Sequence, residues 1–559
     1  MNASTARPDA PNLAAILAER ARSDSEALAV RRAGGSQRSA ISFGRLDATS
    51  DAIAIGLRAM GIAPGTRALL MVPPGPDLFK LVFAVLKAGV VPVLIDPGIG
   101  RKYLGQCARE AEPEVFIGIP KAILAGHVFG WGQATIRRRI VVAPRRVFVV
   151  PGAISIAGLI RYGSRRLGQT ALPSDPLPPG APAAILFTSG STGPPKGAVY
   201  SQEMLRAQVA TLHELFAIGP GEVDLGTFPL FALFAPALGM TSIIPEMNPT
   251  RPARARPSKI VGAIQRYGAT NLFGSPALLR QLVRGDEDSL TKLPTLKRVV
   301  SAGAPVPART IERMAARLVP PAQVHTVYGA TEALPVASIG SDEILGETRQ
   351  ATDQGRGVCV GRPVPGIEVR VIRIDDEPIP WWSDDLLVPD GTIGEIIVSG
   401  PVVSREYFQR PEATRLAKIL DPARGVFYHR MGDVGYLDDR GRIWFCGRKS
   451  HRVVLEDEVL FTIPCESIFN THPDVYRSAL VGVERGGRVE PVICIEPSSR
   501  LARPRRDRLR AELLGRAGEF PQTRRIRTVL FHPSFPVDIR HNSKIFREKL
   551  AAWAARRLA

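Results

Sequence analysis

The chain predicts an α/β fold with a separate C-terminal unit. Three features carry this: unbroken apolar strands alternate with helical segments, turn residues punctuate them, and composition changes after about Gly447. Leu46 to Met60 has helical spacing, and Ala68 to Val72 reads as a buried strand closed by Pro73-Pro74-Gly75. Leu78 to Ala88 returns to a helix, and Val90 to Ile95 to a strand ended by Asp96-Pro97-Gly98. Strands that are apolar throughout, rather than alternating, belong to parallel sheets covered on both faces. The rhythm resumes at Ala183 to Phe187, Ala269 to Phe273 and Lys297 to Ser301. From Ile367 to Val398 the strands crowd into a smaller β-rich part, and Leu501 to Ala559 is Arg-rich and mostly helical.

At 559 residues, 45% hydrophobic and 23% charged, the chain exceeds a single small domain and is neither disordered nor collagen-like. Its five cysteines are scattered, odd in number and without a Cys-x-x-Cys pair, which argues for a reducing compartment and against a zinc ribbon or disulfide framework. Met1 to Asn12 lacks the apolar core of a signal peptide, so the expected location is cytoplasmic. Leu225 to Pro245 carries no charge, but prolines and glycines interrupt it, so it reads as buried strand and loop. Val147 to Ile160 is apolar, Arg-flanked and too short to span a bilayer, which leaves a membrane-surface role open.

The strongest local signal is Thr188-Ser189-Gly190-Ser191-Thr192-Gly193-Pro194-Pro195-Lys196-Gly197, directly after an apolar strand. Small hydroxyl and glycine residues let backbone N–H groups and hydroxyls surround a phosphate, and a lysine adds charge. The spacing is not that of a Walker A loop.

This segment resembles the phosphate loop of the adenylate-forming superfamily of acyl-CoA synthetases, adenylation domains and luciferases. Further motifs follow in order. Ser301-Ala302-Gly303-Ala304-Pro305 resembles the adenine-side loop, and Tyr328-Gly329-Ala330-Thr331-Glu332 the aromatic-Gly-x-Thr-Glu motif. Gly394 to Pro401 is similar to a further segment, and Tyr428 with Gly432-Asp433 to the next, with Met431 in place of threonine. Gly447-Arg448 opens the hinge motif, and Asn542 to Arg547 resembles the terminal lysine motif, with Ser543 in place of glycine.

The resemblance implies a large multi-layer adenylation domain, residues 1–447, and a small mobile α+β lid, 448–559, hinged near Ser450. It also implies roles. Thr188, Ser191 and Thr192 would hold ATP phosphates, whose oxygens only accept hydrogen bonds. Lys196 would be the pyrophosphate-side cation, against the alternative of a solvated lysine. Tyr328 would stack on adenine, against that of a core tyrosine. Thr331 would contact the α-phosphate, and Glu332 would hold Mg2+. Asp433 would accept the ribose hydroxyls with help from Arg448. Lys544 would lie between carboxylate and α-phosphate, stabilising the charge that builds as pyrophosphate leaves.

Three departures narrow the branch. Ser450 stands where the family usually has aspartate. The run from His451 to Leu460 lacks the glycine of thioester-forming relatives, and its acidic bulk disfavours a pantetheine arm. The pocket motif Phe228 to Gly239, with Phe231, Phe234 and Leu238, has no histidine and suits a long alkyl acid, ordinary core being the alternative. With Val72 to Pro76, Ile95 to Gly100, Gly447 to Arg452 and Ile468 to Pro473, these features resemble the β-lactone-forming branch of bacterial olefin biosynthesis. The substrate implied is a long-chain 2-alkyl-3-hydroxyalkanoic acid whose own hydroxyl attacks the adenylate. A long-chain acyl-CoA synthetase or carrier-loading ligase is the alternative enzyme, and a degenerate scaffold the non-enzymatic one. His429, His451 and His472 are candidates by type for the base that takes the hydroxyl proton.

The net charge of +20 is segregated. Val115 to Ser174 holds nine Lys/Arg and no Asp/Glu, and Arg500 to Ala559 sixteen against five, so these stretches account for all of it. No helix-turn-helix, RRM or zinc pattern accompanies the charge, and aromatics are only 6%, which argues against nucleic acid. The first stretch is instead expected to meet an anionic membrane surface or the other olefin-pathway enzymes. Neutralising Arg137, Arg138, Arg139, Arg145 and Arg146 should release the protein from anionic vesicles in co-sedimentation. Unchanged binding counts against the membrane role.

Overall fold

The structure is a computed structural model that describes residues 13–35, 39–143, 152–169, 172, 178, 180–188, 194–285, 291–537 and 544–559. A seven-stranded sheet runs in the order Ala153–Ser155, Arg138–Val141, Val115–Gly118, Arg67–Met71, Val91–Ile95, Pro182–Thr188, Lys196–Ser201. All of its pairings are parallel except the last. A second, 14-stranded sheet has Ala40–Ser42 antiparallel at one edge beside Leu28–Arg32, carries Lys418–Asp421 as a side strand on Val426–Leu437, and continues from Leu28–Arg32 through Thr241–Ile244, Val223–Gly226, Asn271–Phe273, Arg298–Ala302 and Gln323–Ala330 as parallel neighbours. It then turns antiparallel through Ala333–Gly340, Val358–Pro363, Ile443–Arg448, Val426–Leu437, Gly394–Ser399 and Glu368–Ile372.

One apolar core joins both parallel sheets through helices Phe43–Ala59 and Pro76–Ala88. The second helix is flanked by its own punctuation: Pro76 at the first turn, and Gly89 in the left-handed conformation just past the end. It is buried nearly all round, so its sequence has no polar face. The uncharged stretch from Leu225 divides into strand, short helix Pro229–Ala232 and strand, as its prolines require. No helix among the described residues is long and apolar enough to cross a membrane. Residues 144–151, which include the first five of the apolar Arg-flanked segment, lie outside the described residues. Its described part buries Ile156 and Leu159 against the core and exposes Ile154, as Tyr162 just beyond it is exposed.

After Arg448 the chain forms a short helical turn, Lys449–His451, and then a hairpin of Val453–Val454 with Val459–Leu460. A three-stranded sheet follows, Val475–Arg485, Arg488–Pro497 and Thr528–Phe531, covered by helices Thr462–Asn470, Arg503–Gly518 and Arg547–Leu558. Its two apolar clusters draw only on residues 453–558.

The segment after Arg448 is tied to the β-rich part by charge. Arg430 Nη2 meets Glu395 Oε2 at 2.6 Å with both side chains almost fully buried, and Lys449 Nζ reaches the same oxygen at 3.1 Å. Lys449 also donates to the Asp375 carbonyl, and Arg452 pairs with Asp376. Removing one partner of a buried pair leaves the other charge desolvated without compensation. Arg430→Met should therefore destabilise the fold by about 3 kcal/mol, read as a lowered midpoint in thermal unfolding.

Candidate active site

The parallel strands end at one place. Thr227 follows strand Val223–Gly226, Gly303 follows Arg298–Ala302, and Thr331 follows Gln323–Ala330. In open α/β sheets, ligands bind beyond the carboxyl ends of strands. Here these ends, residues of the segment after Arg448 and the final helix border one cavity of about 2290 Å³. An ordinary small-molecule site is about 300–1,000 Å³, so there is room for a nucleotide and a large acid together.

The cavity brings together Gly303, Ala304, Pro305, Tyr328, Gly329, Ala330, Thr331, Glu332, Asp433, Arg448, Ser450 and Lys544. Phe231, Phe234 and Leu238 line it too, while Leu238 is also core. Ser189, Gly190, Ser191, Thr192, Gly193, Asn542 and Ser543 lie outside the described residues. Thr188 ends its strand and pairs in register with Lys196 on the return strand, so the two flank the predicted phosphate loop. Lys196 does not line the cavity. It is exposed, with its ammonium 5.0 Å from the centre of the Tyr407 ring.

Asp433 organises the polar wall. Tyr328 Oη donates to its Oδ2 at 2.7 Å, and Arg448 Nη1 to its Oδ1 at 2.7 Å. Burial, and then the Asp433 charge, raises the Tyr328 phenol well above its ordinary range, so it stays a donor. Burial works against the Arg448 cation, but Asp433 and its neighbours outweigh it and hold the guanidinium charged. Gly432 makes this contact geometrically available. Its φ is +64°, and a Cβ there would meet Arg448 Nη2 at 3.3 Å.

Glu332 is held from behind. Tyr407 Oη donates to its Oε1 at 2.6 Å, and the Ser404 amide to its carbonyl at 2.7 Å. Tyr200 Oη fixes the Thr331 carbonyl at 2.6 Å. Glu332, a carboxylate in the cavity wall beside Thr331, suits Mg2+, which takes one or two carboxylates with waters and substrate phosphates. Among the described residues no group of three or more His, Cys, Asp or Glu could form an all-protein cage.

The three histidines separate. His429 is buried outside the cavity against Lys418 Nζ, 3.1 Å away, and the Ala417 carbonyl. Burial, then Lys418, drives its pKa well down. His472 borders the cavity, but its ring nitrogens face Glu512 and the Asp474 amide, both at 3.2 Å. His451 lines the cavity, and burial followed by Arg547 and Arg448 pushes it down to about 3, which keeps the imidazole neutral. The acidic run corrects an expectation. Glu456 pairs with Arg488, and Asp457 and Glu458 with Arg525, away from the cavity, which sees Val453 and Val454 instead. Acidity in this run is thus no barrier to an entering chain.

Residues 17–408 match the AMP-binding enzyme family. The chain belongs to this family. Among AMP-binding enzymes it is 47% identical over 558 residues to the olefin beta-lactone synthetase of Xanthomonas campestris pv. campestris, covering 97% of each chain. It is 46% identical to that of Stenotrophomonas maltophilia, covering 98% of each. The fold is shared with the solved amide bond synthetase McbA of Marinactinospora thermotolerans, with a TM-score of 0.76 at 23% identity over 97% of this chain and 99% of that one. The adenylate-forming fold read from the motifs is therefore the fold observed.

Tyr200, Tyr407 and Lys418 were not legible in the sequence as site residues. Tyr200 reaches Thr331 across 131 residues of chain and Tyr407 reaches Glu332 across 75, and none of the three carries a motif of its own. Lys418 is buried between the Ser404 carbonyl and His429, and burial pushes it down to about 7 from 10.5, with Glu332 opposing. Between those values the folded protein binds fewer protons at Lys418 than the unfolded chain does, so its contribution to stability improves as pH rises through 7. The melting temperature of Lys418→Met relative to the parent should accordingly be higher at pH 6 than at pH 9.

Proposed function

We propose that this AMP-binding enzyme converts a long-chain 2-alkyl-3-hydroxyalkanoic acid and ATP to a β-lactone, AMP and pyrophosphate. The observation that carries the proposal is one continuous cavity. Its polar end holds Thr331, Glu332, Asp433, Arg448 and Lys544, and its apolar extension follows Leu205, Leu212 and Phe216 on one face of helix Gln202–Phe216. The near-full-length similarity to olefin beta-lactone synthetases supports the same reading.

In the first step the substrate carboxylate attacks the α-phosphorus of ATP. A new carboxyl oxygen–phosphorus bond forms, and the bond to the pyrophosphate oxygen breaks. Asp433 and Arg448 would hold the ribose, Tyr328 and the Gly303-Ala304-Pro305 loop the adenine, and Thr331 the α-phosphate. The loop from Thr188 to Lys196 would take the remaining phosphates. Lys544 would neutralise charge between carboxylate and phosphate. Glu332 would hold Mg2+, which supplies Lewis-acid neutralisation of phosphate charge. In the second step the β-hydroxyl oxygen attacks the acyl carbon, the bond to AMP breaks and a four-membered ring closes. The nucleophile is tethered, so the enzyme's task is positioning and exclusion of water. The hydroxyl proton would leave to water or to the departing AMP phosphate, because His451, held down to about 3, is too weak a base to take it.

Residues 448–559 would act as a lid turning about Ser450. The basic stretch from Val115 would meet an anionic membrane or the other enzymes of olefin biosynthesis, with exposed Leu124, Val128 and Phe129 beside Lys121.

Incubation with ATP, Mg2+ and the hydroxy acid, without CoA, should yield AMP and lactone. If AMP appears only on adding CoA or a carrier protein, the ligase alternative holds. Lys544→Ala should lower pyrophosphate release by at least about a hundredfold; no loss would remove Lys544 from the chemistry.

A further inference from the structure

Successive side chains of a strand point to opposite faces of its sheet. Leu225, Leu272 and Val299 belong to the apolar core on one face of the long sheet. Their strand neighbours Asp224, Asn271, Phe273 and Val300 line the cavity on the other. Asp224 and Asn271 sit in direct register on adjacent strands, and Asn271 Nδ2 donates to Asp224 Oδ1 at 2.5 Å. Arg298 and then Gln323 continue the same row. Asn271, Arg298 and Gln323 each open their strand, so the row marks the amino end of the sheet. Gly303, on the nucleotide side of the cavity, lies five residues beyond Arg298, about 16 Å at the rise of a strand. Phe273 and Val300 fill the wall between these levels, and Phe216, Ile218 and Met240 also line the cavity. Asp224 and Asn271 are thus a polar pair deep in an apolar passage. Asn271 Oδ1 is buried and meets no donor among the described residues. Asp224 Oδ2 meets none either, but it is not sealed off as the Asn271 oxygen is. Burial raises the Asp224 carboxyl to about 6, with the Asn271 bond and the Arg298 charge opposing, so it is mostly ionised at neutral pH.

We propose that Asp224 and Asn271 form a polar stop at the deep end of the cavity and set the longest alkyl chain that the enzyme accepts. The inference rests on the long-chain acid proposed above as substrate, but not on its closure to a lactone. Two opposed effects fix the limit. Each methylene buried along Phe273 and Val300 strengthens binding by up to about fourfold. A chain end pressed against Asp224 strips water from a carboxylate and offers no hydrogen bond in return. Preference should therefore climb with length and then reverse. The pair is not needed to tie the strands together at this end. Glu222 does that, accepting from Arg298 Nη1 at 2.6 Å and from Thr270 Oγ1 at 3.0 Å. A 2-alkyl-3-hydroxy acid carries two alkyl chains, and the stop acts on the one that lies along Phe273 and Val300.

The test uses two series of 2-alkyl-3-hydroxyalkanoic acids, one lengthened in the 2-alkyl group and the other beyond the hydroxyl carbon. Pyrophosphate release gives kcat/KM for the full-length enzyme, for the double variant Asp224→Val with Asn271→Val, and for Asp224→Asn. Each profile is scaled to its own shortest acid, so a uniform loss of activity does not imitate a shift. In the parent, kcat/KM should peak in one series and then fall by about tenfold or more. The double variant keeps the bulk of the pair and removes its polarity, so its peak should move to longer acids. Asp224→Asn keeps the shape and removes the charge, so the fall beyond the peak should become shallower. Profiles unchanged in both variants would mean that the limit is steric or lies elsewhere, and a parent profile that rises throughout both series would mean that there is no stop; each overturns the proposal. No pyrophosphate release by the parent with any acid would refute the long-chain reading and the stop with it. Release of AMP without lactone would refute the lactone alone, and the peak positions would still decide the role of Asp224 and Asn271.

Discussion

A buried carboxylate, Asp433, is the point on which the site depends. It accepts from Tyr328 on one strand and from Arg448 on another, each at 2.7 Å, and so ties three strands of the long sheet together. In the low dielectric of the interior a carboxylate needs both partners, and each partner needs the carboxylate. The neutral phenol and the charged guanidinium are consequences of that arrangement. In a nucleotide complex the same groups would already be oriented, which lowers the cost of ordering them on binding.

The same economy recurs around the cavity. Glu332 is oriented by Tyr407 and by the Ser404 amide, and Thr331 by Tyr200. The residues proposed to touch phosphate or metal thus lie just past a strand end, held by Tyr200 from the seven-stranded sheet and by Tyr407 from a connecting segment. The segment after Arg448 is anchored differently. Lys449 reaches Glu395, already paired with Arg430, and Arg452 reaches Asp376. A lid turning at Ser450 would pivot beside this fixed charge cluster, and Lys449 and Arg452 bracket the pivot.

The apolar half of the cavity follows from the amphipathic rule turned inward. A helix that borders a ligand cavity must show an apolar face there, just as it would to a core. Leu205, Leu212 and Phe216 do so, and Phe231 and Phe273, their ring centres 4.3 Å apart, also line the cavity. Sequence alone does not separate such a face from ordinary core, because both are written with the same residues. Leu238 belongs to the core and the cavity wall at once.

Parallel strands, helix punctuation and the ordered motifs were readable from the sequence, because each is a local pattern: an apolar run, a proline before a helix, a glycine where φ must be positive. Thr331, Glu332, Asp433, Arg448 and Lys544 were likewise legible, since their chemistry is carried by short motifs. Tertiary structure alone decided what lies behind them. Nothing local marks Tyr407 or Tyr200, whose meaning comes from hydrogen bonds to residues far along the chain, or Lys418, whose meaning comes from its burial. It also decided that the acidic hairpin turns toward Arg488 and Arg525, that His429 is sealed in the interior, and that His451 faces the cavity. Sequence specifies which groups are present. Burial and distance, which exist only after folding, specify which of them are charged, neutral or left waiting for a partner.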